Sequence, residues 1–235
     1  MFSMVEIEIN SRCNRRCVYC PNVIAPRDAP NRMKPEQFER IIDRLEEANF
    51  TGRLSYHFYN EPLLHPKLPQ FVARVTERLP EVRQILYSNG DYLTDGKYQL
   101  LHKNGIKQFI ITQHDSKPGA PKPDLIWLIP DQLQLTNRAG NVIAGPEIVS
   151  NLPCFAPSDM LIITITGNVV LCYEDNKEEV VLGNVFDTPI MGIWNSPQFR
   201  RAREALSCGN RNATDICRRC NNRSHQKSEA FDYVL

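Results

Sequence analysis

Net charge is almost absent from this chain of 235 residues, where 28 Lys and Arg stand against 27 Asp and Glu for a formal +1. No global electrostatic pull toward nucleic acid or an anionic membrane follows from such a balance. Long apolar runs are missing too, since no stretch approaches the roughly 20 residues of a membrane-spanning helix. The segment from Met4 to Ile9 lacks the basic start, apolar run and small-residue cleavage site of a signal peptide. There is no internal repeat and no low-complexity tract. These absences leave the expectation of a cytoplasmic protein without nucleic-acid or membrane partners, large enough for one body and a small appendage. Thiols stay reduced in that compartment, so the eight cysteines read as metal ligands or catalytic groups rather than disulfides.

Residues 4–10 alternate apolar and acidic side chains, which predicts a strand that breaks into a polar loop. Pro35 and the spacing of Phe38, Ile41, Ile42 and Leu45 predict an amphipathic helix. The rhythm continues with a strand at 53–58, a helix at 67–79, a strand at 83–88, a helix at 94–104 closed by Gly105, and a strand at 106–113. Such alternation implies a parallel sheet, here an open partial (β/α) barrel. Short apolar runs at 125–129 and 132–135 read as its last strands. Past Pro153 the pattern changes: 160–166 and 168–173 flank Gly167–Asn168 as a hairpin, followed by helical segments near 188–194 and 197–206. The expected division is a barrel over 1–150 and a small separate unit over 151–235, with 221–230 as a flexible stretch.

Two sets of cysteines carry the chemistry. Cys13, Cys17 and Cys20 form C-x3-C-x2-C on the loop after the first strand. A cubane iron–sulfur cluster has four irons, so three thiolates leave one open to a small molecule. A closed zinc site needs four ligands, and no fourth lies nearby. Cys154, Cys172, Cys217 and Cys220 form the second set, and four thiolates can close either a cluster or a tetrahedral zinc site. Cys208 is left over.

The first spacing, with Tyr19 just before the third cysteine, resembles the radical S-adenosylmethionine (SAM) family. The resemblance implies a [4Fe-4S] cluster on Cys13, Cys17 and Cys20, whose open iron is chelated by SAM. Tyr59–Asn60–Glu61–Pro62 is similar to the family's Gly-Gly-Glu-Pro segment, with both glycines replaced. Tyr87–Ser88–Asn89–Gly90 resembles the segment in which a hydroxyl residue meets SAM. Tyr19, Glu61, Ser88 and Gln113 are the SAM contacts so implied, with His114 beside them. The second set, followed by Leu182–Gly183–Asn184–Val185 and Ile193–Trp194–Asn195, resembles the shortened "twitch" form of the family's auxiliary-cluster domain. It implies a second [4Fe-4S] cluster on Cys154, Cys172, Cys217 and Cys220.

Tyr56–His57–Phe58–Tyr59, Thr112–Gln113–His114, Thr136–Asn137–Arg138, Cys172–Tyr173–Glu174–Asp175 and Asp232–Tyr233–Val234–Leu235 resemble the family's aminocyclitol dehydrogenases. The activity implied is oxidation of a secondary alcohol on a cyclic polyol to a ketone through a 5′-deoxyadenosyl radical, with the second cluster accepting an electron. Arg138 is then the catalytic residue against the reacting hydroxyl, and Tyr59, Tyr87 and Glu174 join it around the substrate. A protein such as flavodoxin or ferredoxin is the implied electron donor. Competing readings are an epimerase in which Cys208 returns hydrogen, a peptide-modifying enzyme, and a zinc-holding interaction module with no activity.

Overall fold

A computed structural model describes residues 2–24, 26, 28–114, 122–129, 133, 135–145, 147–148 and 151–228. In chain order these form β1 (Met4–Ile7), α1 (Pro21–Ile24), α2 (Pro35–Glu47), β2 (Arg53–Ser55), α3 (Leu68–Arg78), β3 (Arg83–Ser88), α4 (Asp95–Asn104), β4 (Ile106–Thr112) and β5 (Leu125–Leu128). Then follow α5 (Ala156–Asp159), β6 (Met160–Ile163), β7 (Asn168–Val170), β8 (Val181–Asn184), α6 (Ile190–Trp194), α7 (Pro197–Ser207) and α8 (Asp215–Arg219).

Local chemistry explains the helices. In α2, Pro35 occupies the first turn, the Gln37 side chain accepts from the Lys34 amide at 2.9 Å, and Phe38, Ile41, Ile42 and Leu45 form the buried stripe. Thr94 caps α4, and Gly105 ends it at φ +131°, a conformation that favours glycine. A side chain there would also collide with the Thr76 hydroxyl.

All eight strands make one open sheet in the order β5-β4-β3-β2-β1-β6-β7-β8. Pairing is parallel from β5 to β6 and antiparallel from β6 to β8. The C-terminal hairpin is thus joined to the barrel strands: Met160 to Ile163 pair in register with Met4 to Ile7, across residue 150. β1 and β6 lie at the centre and are buried at every position, as interior parallel strands must be.

Several boundaries differ from those predicted. β2 stops at Ser55 rather than residue 58, and Tyr56 just beyond it donates its hydroxyl to the Gln84 side chain on β3. β7 stops at Val170. β8 was not anticipated, having only four residues and a central glycine. Leu133 and Leu135, from the run at 132–135, belong to no strand among the described residues. Within the polar stretch expected to be flexible, Asn221, Asn222 and His225 are buried while the other described residues are exposed, and 229–230 lie outside the described residues. The terminal Asp232–Leu235 lies outside the described residues. No described helix is long and apolar enough to cross a membrane.

Candidate active site

The carboxyl ends of parallel strands are where such folds gather reactive groups. The loop after β1 carries Cys13, Cys17 and Cys20, all partly exposed. Two flanking segments hold it. On one side Asn10 donates to Arg12 O at 3.0 Å and Glu61 O at 3.1 Å, and Glu61 N donates back to Arg12 O. On the other, Asn14 and Arg15 bind Asp91, while the Asn89 amide approaches Cys13 Sγ at 3.7 Å. Burial pushes the Cys13 and Cys20 thiols up from their ordinary range, and neighbouring Cys17 adds to it. Tyr19 turns its hydroxyl to His114 Nδ1 at 3.0 Å, and the same nitrogen stands 3.8 Å from Cys17 Sγ.

Glu61 ties together the loops after β2 and β3. Its carboxylate accepts from Leu63 N at 2.9 Å, Ser88 Oγ at 2.8 Å and Asn89 N at 2.8 Å. Burial raises its pKa against the pull of these donors. Glu61 and Ser88 are therefore in contact, at the strand ends beside the first thiols. Gln113 is buried at the end of β4, with its side-chain Nε2 lacking any partner.

One face of the sheet gathers a polar cage. Register places Glu6 beside Ser55 and Ser55 beside Ile85, so Glu6, Ser55 and Tyr87 share that face. His57 stacks on Tyr87 with centroids 4.4 Å apart and approaches Glu6 at 3.9 Å. That approach is no ion pair at neutral pH, because burial lifts the Glu6 carboxyl to about 8 and lowers His57 to about 4. Both are neutral there. Neither Glu6 nor His57 was among the expected site residues. An acidic residue on a central strand, where burial on both faces is the rule, was the available signal.

Arg138 enters from the loop after β5. Its backbone and that of Ala139 are left-handed, at φ +47° and +51°, which costs about 1–3 kcal/mol per residue. Contacts from the C-terminal cysteine turn offset that cost: Asn137 exchanges hydrogen bonds with Asn221 and donates to Arg219 O, and Arg219 Nε donates to Ala139 O. The guanidinium lies over the Tyr59 ring, 5.6 Å from its centroid, and 3.5 Å from Glu174. Burial alone would pull its pKa down, but Tyr59 and Glu174 outweigh this and it stays protonated. Glu174 also accepts from Thr136 Oγ1 at 2.9 Å and Asn222 Nδ2 at 2.7 Å. Tyr59 donates its hydroxyl to Tyr173 O. The structure thus brings Tyr59, Tyr87, Arg138 and Glu174 to one region, together with Glu6 and His57. Three buried polar atoms of this cage have no partner: Ser55 Oγ, His57 Nδ1 and Arg138 Nε.

Behind Glu174, one pocket is lined by all four of Cys154, Cys172, Cys217 and Cys220, with apolar Ala156, Leu206 and Ile216. Burial pushes all four thiols up, Cys217 to about 11 and Cys220 to about 12. Arg211, lining the same pocket, favours the thiolate form of Cys154, Cys217 and Cys220. A single zinc needs its sulfurs about 2.3 Å from one point, whereas no three Cys, His, Asp or Glu among the described residues close on one ion. Four thiols around a larger buried pocket fit a cubane. Cys208 is exposed at the end of α7 and is no part of the cage or of either thiol set.

Residues 7–123 match the family model described as the radical SAM superfamily, and residues 154–221 match SPASM, an iron–sulfur cluster-binding domain. The chain is 40% identical to the SAM-dependent 2-deoxy-scyllo-inosamine dehydrogenase of Niallia circulans, over 100% of this chain and 99% of that one. Among solved structures, BtrN in complex with AdoMet and 2-DOIA is similar at a TM-score of 0.92, with 40% identity and the same coverage. BtrN in an open conformation gives 0.82, with 38% identity over 100% of this chain and 99% of that one.

Proposed function

Because the chain belongs to the radical SAM superfamily and carries an iron–sulfur cluster-binding domain, we propose that it oxidises a secondary alcohol of an aminocyclitol to a ketone. The substrate intended is 2-deoxy-scyllo-inosamine or a close relative. The observation that carries this reading is the cage, where Ser55 Oγ, His57 Nδ1 and Arg138 Nε lack partners beside the Glu6 carboxyl. Buried polar atoms are nearly always paired, and a ring bearing hydroxyls and an amine supplies the complement. In this reading Cys13, Cys17 and Cys20 hold the SAM-cleaving [4Fe-4S] cluster, with Tyr19, Glu61, Ser88 and Gln113 near SAM. Cys154, Cys172, Cys217 and Cys220 hold the auxiliary one. When bound, these groups supply a 5′-deoxyadenosyl radical that takes one hydrogen atom from the carbinol carbon and an acceptor for the electron that then leaves with the hydroxyl proton.

The chain's own residues position and polarise. Tyr59, Tyr87 and Glu174 hold the polyol, and Glu6 meets its ammonium, which draws that carboxyl into the charged form. Arg138 is always protonated, so it is not the base. It donates to the reacting oxygen and stabilises negative charge as that develops. The proton passes to another acceptor, for which the cage offers the neutral His57 imidazole and the carboxylates of Glu6 and Glu174. Arg12 and Arg16, exposed around the first thiols, suit an acidic one-electron donor of the flavodoxin or ferredoxin type. A reducing compartment such as the cytoplasm suits all seven thiols.

The test is anaerobic incubation of the reconstituted enzyme with SAM, a reductant and 2-deoxy-scyllo-inosamine, followed by mass spectrometry. A product lighter by two hydrogens, formed with 5′-deoxyadenosine, is expected. A product of unchanged mass would replace oxidation by epimerisation, and an unconsumed substrate would overturn the substrate class.

A further inference from the structure

Among the described residues, one cation beside the C-terminal thiol pocket has no carboxylate to neutralise it. Arg211 is 2% exposed and lines the pocket together with Cys154, Cys172, Cys217 and Cys220. Its guanidinium is held by backbone carbonyls: Nε donates to Leu152 O at 2.8 Å, and Nη2 to Asn222 O at 3.2 Å and Pro153 O at 3.4 Å. Among the described residues it makes no ion pair. Three carboxylates bear on the same thiols in the opposite sense, and each has donors of its own. Glu174 has Arg138, Thr136 and Asn222. Asp175 accepts from the amides of Glu179 and Val180, at 2.8 and 2.9 Å. Asp159 accepts from Ser228 Oγ at 3.0 Å.

We propose that Arg211 is a positioning charge that raises the reduction potential of the auxiliary cluster and so fits it to take an electron from the oxidised substrate. The proposal rests on the two-cluster reading above. A cluster ligated by four thiolates is anionic, and reduction adds one more negative charge. A fixed cation nearby stabilises the reduced form, and its influence is large in a pocket this poor in water. Carbonyl oxygens fix the guanidinium in place without cancelling its charge.

The experiment uses the full chain with Cys13, Cys17 and Cys20 replaced by Ala, reconstituted anaerobically so that only the auxiliary cluster contributes. Its midpoint potential is read by spectroelectrochemistry and electron paramagnetic resonance. Arg211→Gln is expected to lower the midpoint by the equivalent of a tenfold or greater change in the oxidised-to-reduced ratio, about 59 mV for one electron. Arg211→Lys, which keeps the charge but loses the planar fork, is expected to stay within that interval. An unmoved midpoint in Arg211→Gln, or a fall of that size in Arg211→Lys, overturns the proposal. If the Gln variant does not fold, Arg211→Met, which keeps much of the length without the charge, is read by the criterion given for Gln. Absence of iron from the parent variant would instead defeat the two-cluster reading, which keeps the two failures distinct.

Discussion

Arg138 spends backbone strain to point a permanently charged fork into the cage, and that arrangement makes its replacement informative. Lys retains the charge but offers a single ammonium in place of the planar donors, which reach Glu174 and in the proposed reading also meet the substrate oxygen. Arg138→Lys is expected to lower turnover by about 10²-fold or more, the usual loss when a group stabilising developing charge is removed, with iron content unchanged. Normal ketone yield would remove Arg138 from contact with substrate. Glu6 gives a second test, through pH. Its folded pKa is raised from 4.5 to about 8, so the folded state favours the protonated form. The stabilisation is complete below 4.5 and is lost as pH rises through about 8. In urea titrations without substrate, the native protein should weaken relative to Glu6→Gln, which has no proton to lose, as pH rises from about 4.5 to about 8, and level off above that. Parallel stability curves for the two would show that the carboxyl is not desolvated as described.

Elements with local signals were legible in the sequence, and those defined by distant partners were less so. Pro35 with its apolar stripe announced α2, and Gly105 announced the end of α4. The residues 160–163 were read correctly as a strand, but as part of a separate hairpin. Its pairing with β1 links positions 156 residues apart and leaves no mark on either segment, since a buried parallel strand is simply an apolar run. The same blindness hid Glu6: alternation on β1 reads as one solvated face, whereas both Glu6 and Glu8 are buried, Glu8 accepting from Ile165 N at 2.9 Å. Cysteine spacing, by contrast, is a purely local signal, and it led to the first thiol set directly. Arg138 was reached only through resemblance, because its side-chain partners Tyr59 and Glu174, and the cysteine turn that anchors its neighbours Asn137 and Ala139, are all distant in sequence. The β1–β6 seam yields a stability prediction. Leu161 is fully buried opposite Val5, so Leu161→Ala should cost about 2–5 kcal/mol, read as a fall in the urea midpoint. A cost under about 1 kcal/mol would mean that the seam collapses around the lost volume.

At the scale of the molecule, the cage lies between two thiol sets, and the loop that carries Arg138 is anchored on the turn that carries Cys217 and Cys220. In the proposed reading the first set leaves an open position for SAM, while the second, with four thiols, closes its cluster and suits it to electron acceptance. Replacing Cys217 and Cys220 together by Ala should therefore separate the two halves of the oxidation. Hydrogen abstraction should persist, seen as deuterium passing from ring-labelled substrate into 5′-deoxyadenosine, while the ratio of ketone to 5′-deoxyadenosine falls. Cluster ligation also contributes to folding, so the measurement requires a variant whose circular dichroism matches that of the parent. The deuterium readout guards against a second confusion: a displaced Asn221 or Arg219 would loosen the Arg138 loop and misplace the substrate, which would abolish label transfer as well as ketone. Label transfer with an unchanged ratio would show that the electron leaves by another route, and that a group on the C-terminal thiols is needed neither to accept it nor to keep the Arg138 loop in place.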